Sequence, residues 1–533
     1  MYDLLIKNGI VVDGTGARRQ YADVAVEGKR IAKIAPVIDA PAKKCIDAEG
    51  LFVTPGFIDV HSHADSLVVK KNDSQNFLRQ GITTQFMGQC GASPVPFEDA
   101  AHTRDKEIMS PAEYEDMKAK LSTPSAFMKA AESQEYSLNP CFLIGHKGLR
   151  IKAMGYGDSV PTDAEMGVMK SILNEAMEAG YFGYSTGLVY APSVYAKTEE
   201  LKELAKELTK YDGIYASHIR GEGIHVEDAV SEAIEIGASA GIRVLVSHLK
   251  VLGAINKGKG AKLLKLIDDA NARGERVYAD QYSWDGSSAD LIWQIPPKYL
   301  TKGIAGAVEI LKDKSIRKQI EDETFNDLEH FEASMCYSGY NRTIISSAQD
   351  CPEYVGKTIA QIAEEEGKDP FDAYCDIVIR TGGHAIGIYI NQDIQDISTI
   401  MSHPYVFCGC DALDYTWKAP ETVGAGHPRS NATFTRRLQI IRDLGLNSAE
   451  YAIAQMTGTP AEKLGFAERG LLKEGMYADL CVFDWKTVGP TCDYMHPYRP
   501  NQGISYVIVN GEIVVDHDVM TDARPGMLIK PVR

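Results

Sequence analysis

Eight short apolar segments recur through the middle of the chain, and helical stretches separate several of them. They are "GFIDVHSH" (56–63), "TTQFMGQC" (83–90), "PCFLIGHK" (140–147), "YFGYSTGL" (181–188), "GIYASHI" (213–219), "RVLVSHL" (243–249), "RVYADQY" (276–282) and "YVFCGCD" (405–411). Each reads as a buried strand. The segment "HVEDAVSEAIEIGASAG" between the fifth and sixth has the periodicity of a helix. Strand alternating with helix predicts a parallel sheet, and eight such units predict a closed (β/α)8 TIM barrel.

The 533 residues exceed what such a barrel needs. The two chain ends resemble each other: "DLLIKNGIVVDGTG" and "SYVIVNGEIVVDHD" each place Asn-Gly between β-branched runs, a hairpin signal. They predict one small β-sandwich domain built from both termini, residues 1–54 and 471–533, with the α/β barrel over 55–470 inserted between them. The gap from Trp284 to Pro404, between the seventh and eighth strands, is too long for one helix. It predicts an inserted subdomain at about 285–370.

Net charge is -17 and no Lys/Arg-rich run occurs, which argues against nucleic-acid and anionic-membrane partners. The ten cysteines are scattered without framework spacing. With no signal-peptide pattern and no apolar run of transmembrane length, the expectation is a cytoplasmic soluble protein. Oligomeric state is left open.

Active sites of such barrels sit at the C-terminal strand ends. Those ends carry His61 and His63, then Cys90, His146, Tyr184–Ser185, His218, His248, Tyr282 and Asp411. His61 and His63 are two apart in an extended segment, so they project together while Ser62 points away. Imidazoles, a thiol and a carboxylate converging on one rim are the donor types of a transition-metal site. Asp411 ends the last strand, next to the first by closure. It can take a proton from a water and return it to a leaving nitrogen. Cys408 and Cys410 fall on the opposite face and read as wall residues.

In order, "PGFIDVHSHAD", "GQCGAS", "GYSTGLVYAP", "SHIRGEGIHVEDAVSEAIEIG", "SHLK", "DQYSW" and "GCDA…GHPR" resemble the motifs of the amidohydrolase superfamily. Within it they resemble the N-acyl-D-amino-acid deacylases (D-aminoacylases), nearly end to end. The resemblance implies a zinc-dependent hydrolase that cleaves a linear amide into a carboxylic acid and a D-amino acid. It implies a tight zinc site at Cys90, His218 and His248, and a weaker second divalent site at His61, His63 and Asp411 that shares Cys90. Asp411 would be the catalytic base and acid. Lys250, Tyr282, Ser288 and Arg429 would grip a free substrate carboxylate, Tyr190 would stand near the scissile carbonyl, and His146 would be a pocket residue.

Hydantoinase-like and dihydroorotase-like relatives carry a lysine at the fourth strand. Here "YFGYSTGLVYAP" has none, which disfavours cyclic-amide hydrolysis. A barrel of this kind could also serve a dipeptidase-like activity or act as a non-catalytic scaffold, and the full donor set speaks against the scaffold. "GCDA", "GQCG" and "SHLK" depart from the family's usual residues beside the catalytic groups, so the acyl group and side chain preferred stay open.

Overall fold

The structure is a computed structural model that describes residues 1–69, 74–98, 106, 109–414, 418–421 and 426–533. All eight segments form strands that pair in parallel. Phe57–Asp59, Ile82–Met87 and Asn139–Phe142 make one sheet. Ile144–Gly145, which continues the third strand, joins Gly183–Gly187, Ile214–His218, Arg243–Val246, Arg276–Gln281 and Val406–Cys408 in the other. Backbone bonds connect the two sheets at both edges: Phe182 N–H donates to Phe142 O (2.9 Å) and Val60 N–H to Cys408 O (3.3 Å). Ser62 also bridges Ala412 in parallel.

Period two places alternate strand residues in one apolar cluster: Ile58, Phe86, Cys141, Phe182, Ile214, Leu245, Tyr278 and Phe407. The helices cover the other parity. Val226–Ala240 buries Val226, Val230, Ala233, Ile234 and Gly237 at helical spacing. Gly237 is a close-approach position, where a Cβ would lie 2.0 Å from Val244 Cγ2.

Both chain ends enter one nine-stranded sheet, where Leu480–Phe483 pairs antiparallel with Phe52–Pro55. The two Asn-Gly signals have different outcomes. Asn510–Gly511 turns the hairpin between Ile504–Val509 and Glu512–Asp516, with φ of 46° and 86°. Asn8–Gly9 does not turn. The strand Tyr2–Val11 runs through it, and the register to Gln20–Glu27 slips between Ile6 and Gly9. Asn8, at φ 61°, is an extra residue of a bulge held by its N–H to Asp23 Oδ1 (2.8 Å). Asn-Gly supplies positive φ to either device, and here tertiary pairing selects the bulge.

The long gap contains a three-stranded antiparallel sheet of Gly286–Asp290, Thr343–Ser347 and Ile386–Ile390, with helices and its own apolar core around Leu291, Ile345, Tyr374 and Tyr389. Its third strand ends well beyond residue 370, because Ile386–Ile390 pairs with both others. Among the described residues no helix is long and apolar enough to cross a membrane. All ten cysteines are free thiols.

Candidate metal centre and cavity

The donor side chains gather just beyond the strand ends. His61, His63, Cys90 and Asp411 form one group and Cys90, His218 and His248 another, each with its donor atoms within 4.8 Å of one another. Cys90 belongs to both. Its Sγ lies 3.3 Å from His61 Nε2 and 3.3 Å from His248 Nε2. Asp411 Oδ1 lies 3.1 Å from His63 Nε2 and 3.4 Å from His61 Nε2. His218 stands edge-on to His248 with centroids 4.4 Å apart, and its Nδ1 is buried without a hydrogen-bond partner among the described residues. Ser62 turns away and accepts from Gln85 Nε2 (3.1 Å), as period two requires.

Three of these donors sit on left-handed backbone: Cys90 at φ 53°, His248 at 36° and Asp411 at 49°. Each such residue costs about 1–3 kcal/mol and persists only where neighbours hold it. Asp411 N–H donates to His61 O (2.8 Å), and His248 N–H donates to Asp280 Oδ1 (3.0 Å). Asp280 Oδ2 also lies 3.1 Å from His61 Nδ1, so one buried carboxylate orients a histidine from each group. Gly409 leaves room for this, since a Cβ there would lie 2.6 Å from both Asp280 Oδ1 and His61 Cβ.

The electrostatics favour the ligating forms of Cys90, His248 and Asp411. Burial alone would raise the Cys90 thiol, but the neighbouring His61 and His248 hold it well below the usual thiol range. Burial and the Lys250 charge push His248 down to about 4, leaving a neutral imidazole. Burial opposes charge on Asp411 as well, yet Arg429 keeps it well below the usual carboxylate range. Burial opposes the His63 imidazolium, and Asp411 outweighs it to raise the group to about 9. The Cys90 thiolate with neutral His218 and His248 suits zinc or a similar divalent ion, whereas His61 and His63, whose hold on a proton is opposed by burial yet strengthened overall by their acidic neighbours, would release that proton on ligating a metal. The orphaned His218 Nδ1 and the shared thiol fit that assignment.

A cavity of about 280 Å³ opens above this cluster. His63, Cys90, His218, His248 and Asp411 line it, together with Tyr190, Lys250, Ser288 and Arg429. Arg429 donates to Asp411 Oδ2 (2.6 Å), and the Lys250 ammonium donates to His248 Nδ1 (2.8 Å) and to Glu222. Tyr282 is fully buried beneath them. Its ring centroid is 4.9 Å from the Arg429 guanidinium carbon and 5.7 Å from Lys250 Nζ, and its hydroxyl accepts from Gln392 Nε2 (3.0 Å). The Tyr190 ring meets His218 edge-on at 5.0 Å, and burial pushes its phenol well up, so it keeps its proton.

One expected pocket residue lies elsewhere. His146 is fully buried outside the cavity lining, its ring nitrogens 3.0 Å from Ser193 Oγ and 3.0 Å from Glu200 Oε1. With both nitrogens engaged, it ties the start of helix His146–Met154 to its neighbours. Cys408 and Cys410 are buried outside both donor groups.

The profile of the amidohydrolase family matches residues 44–283 and 343–515. This chain belongs to the amidohydrolase family. The relatives it resembles over nearly its whole length include a D-aminoacylase of Alcaligenes xylosoxydans xylosoxydans, 32% identical across 99% of this chain and 97% of the relative. An N-acyl-D-glutamate deacylase of the same organism is 34% identical across 99% and 96%. The crystal structure of the N-acyl-D-glutamate deacylase of Bordetella bronchiseptica, complexed with zinc and a phosphonate mimic of the tetrahedral intermediate, superposes with a TM-score of 0.81 at 33% identity, covering 99% of each chain.

Two residues of this amidohydrolase site escape a sequence reading that looks only at strand ends. Asp280 lies in the seventh strand two positions before Tyr282, and an acid inside a buried strand was a usable signal. Glu222, which accepts from Lys250 and lies 3.2 Å from His248 Nδ1, is one of 73 acidic residues and carried none.

Proposed function

We propose that this amidohydrolase cleaves the amide bond of N-acyl-D-amino acids in a zinc-dependent reaction. The observation that carries the reading is the single thiol shared by two donor groups on the floor of a cavity that also holds Arg429 and Lys250. Full-length similarity to D-aminoacylase and N-acyl-D-glutamate deacylase supports the linear amide and the D configuration. Cys90, His218 and His248 would hold the tight zinc. His61, His63 and Asp411, sharing Cys90, would hold a second divalent ion more weakly. Zinc bound there supplies Lewis acidity toward the amide carbonyl and acidifies a water.

The chain's own groups do the rest. Asp411 takes the proton of the attacking water on a carboxylate oxygen and returns it to the departing nitrogen. Tyr190 donates its phenol hydrogen to the oxygen on which charge builds. Arg429 and Lys250 grip the substrate carboxylate, with Ser288 beside them and Tyr282 stacking beneath. Binding exchanges the Arg429–Asp411 contact for an Arg429–substrate contact.

The same reading extends to the frame. The parallel strands act as one closed (β/α)8 barrel. Residues 1–54 and 471–533 form a β-sandwich domain, and the inserted subdomain runs from 286 to 390. Ten free thiols support a cytoplasmic setting.

Turnover of paired N-acetyl-D- and N-acetyl-L-amino acids, with hydantoins and dipeptides alongside, tests the function. The D-acyl compounds should be hydrolysed and their L partners left. Preferred turnover of a hydantoin, a dipeptide or the L series would overturn the reading.

A further inference from the structure

Lys147 stands out among the cavity's charges. Arg429 is paired with Asp411 and Lys250 with Glu222. Lys147 is partly buried and lines the same cavity, yet its ammonium has no hydrogen bond or ion pair among the described residues. Its contact is the Trp293 ring, whose centroid lies 5.3 Å away. Two acids face it, Asp290 and Glu98, and neither comes within ion-pair distance. Asp290 is occupied by the Trp293 indole N–H (3.1 Å), and burial raises its carboxyl. Glu98 reaches the Tyr156 hydroxyl at 3.5 Å. Burial pushes the lysine's own affinity for its proton down, as expected for a cation lacking a counter-ion.

Position tells which part of a substrate would meet it. Lys147 follows the third strand, and its backbone N–H donates to Gly91 O (3.0 Å), beside Cys90. Lys250 and Arg429 follow the sixth and eighth strands. In the hydrogen-bonded order the third strand is separated from the eighth by the first and second, and from the sixth by the fourth and fifth. With the amino-acid carboxylate held at Lys250 and Arg429 and the carbonyl at Cys90, the acyl substituent is the part that extends toward Lys147, past Tyr190 and Trp293. The Tyr190 and Trp293 rings meet edge-on at 5.5 Å and both line the cavity, giving a short chain an apolar wall to lie against.

We propose that Lys147, seated on Trp293, binds a carboxylate at the far end of the acyl group, so that the preferred substrates are half-amides of short dicarboxylic acids with D-amino acids. This deepens the proposed function and rests on its carboxylate clamp. Water adds its oxygen to the amide carbon and its proton to the leaving nitrogen, so the products are a dicarboxylic acid and the free amino acid.

The test compares kcat/KM for N-succinyl, N-pentanoyl and N-acetyl derivatives of one neutral D-amino acid, together with N-acetyl-D-glutamate against N-acetyl-D-glutamine. Wild type, Lys147→Met and Lys147→Arg are measured as the zinc-loaded full chain. The succinyl-to-pentanoyl ratio should be about tenfold or more in wild type, the scale of one hydrogen bond to a charged group. It should collapse toward one in Lys147→Met and be partly retained in Lys147→Arg. Being internal to each variant, the ratio is insensitive to partial loss of folded protein. If Lys147→Met does not fold, wild type and Lys147→Arg decide. A wild-type ratio at or below one, or an unchanged ratio in Lys147→Met, overturns the proposal. A glutamate-over-glutamine preference that vanishes in Lys147→Met moves the contact to the side chain and overturns the acyl assignment. Turnover of N-acetyl compounds without a succinyl preference leaves the deacylase reading standing and removes this one, whereas no turnover of any D-acyl compound removes both.

Discussion

The donor side chains hang from the ends of parallel strands, whereas another part of the same cavity comes from Gly286–Asp290 and the residues after it in the inserted segment. On the strand side, positions are over-determined. Asp280 braces His61 and His248, Asp411 is pinned by His61 O, and alternate strand residues pack into one apolar cluster beneath. On the inserted side, Ser288, Asp290, Trp293 and Gln294 face the cavity from a small antiparallel sheet and a short helical turn with their own core. On the proposed reading, the division gives bond cleavage and the charged contacts of Lys147, Lys250 and Arg429 to the strand ends, and the apolar wall along the acyl group to the insertion.

Replacing groups on the two sides should therefore give different kinds of damage. The largest effect belongs to Asp411→Asn, which keeps the shape and removes the proposed proton acceptor. Turnover should fall by roughly 10²–10⁴-fold, the range for a positioned acid–base group, while the Cys90-centred site keeps its zinc. Metal analysis beside steady-state kinetics checks both halves, and near-normal turnover would strip Asp411 of its role. Next is Arg429→Ala. It leaves the bound substrate's carboxylate without its partner, and the transition-state binding read by kcat/KM should weaken by about 2–5 kcal/mol. Converting the substrate carboxylate to an amide should harm wild type similarly and the variant little more. Equal rates for acid and amide in wild type would refute the clamp.

Asp280→Asn should cost about 10–100-fold in zinc affinity or activity, the scale for a group that orients ligands. A competition titration with a chromogenic chelator reads it, and unchanged affinity together with unchanged activity would show that the strand geometry needs no brace. Smallest in rate is Trp293→Ala. It should leave zinc content intact and reorder acyl-group preference by about tenfold, because a pocket wall discriminates by only about 1–3 kcal/mol per group. A uniform loss across all acyl groups would erase the distinction between the two sides.

This contrast also explains what the sequence made legible. Strand ends announce themselves: an apolar run stops and a His, Cys or Asp follows, so His61, His63, Cys90, His218, His248 and Asp411 could be named in advance and are brought together. Period two and sheet order turn one-dimensional spacing into convergence. The bracing groups were less visible. Glu222 lies in a loop, and its contact to Lys250 spans 28 positions that no local pattern encodes. His146 misled because a histidine after a strand has the same signature whether it faces the cavity or, as here, Ser193 and Glu200. Asn8–Gly9 misled because the left-handed backbone of a hairpin also serves a bulge. The insertion was visible only as excess length, since its strands are antiparallel and its extent depends on Ile386–Ile390 pairing back to Gly286–Asp290.

The central claim is that amide cleavage depends on a metal held at Cys90, and a zinc titration of metal-free protein tests it most directly. Hydrolysis of an N-acyl-D-amino acid is followed as zinc is added to the wild type and to Cys90→Ala. The account predicts no measurable turnover without metal, recovery of wild-type activity within about one equivalent, as expected for a three-ligand site containing a thiolate, and no recovery in Cys90→Ala over that range. Equal turnover by the metal-free and zinc-loaded wild type, or full recovery by Cys90→Ala at one equivalent, would contradict it.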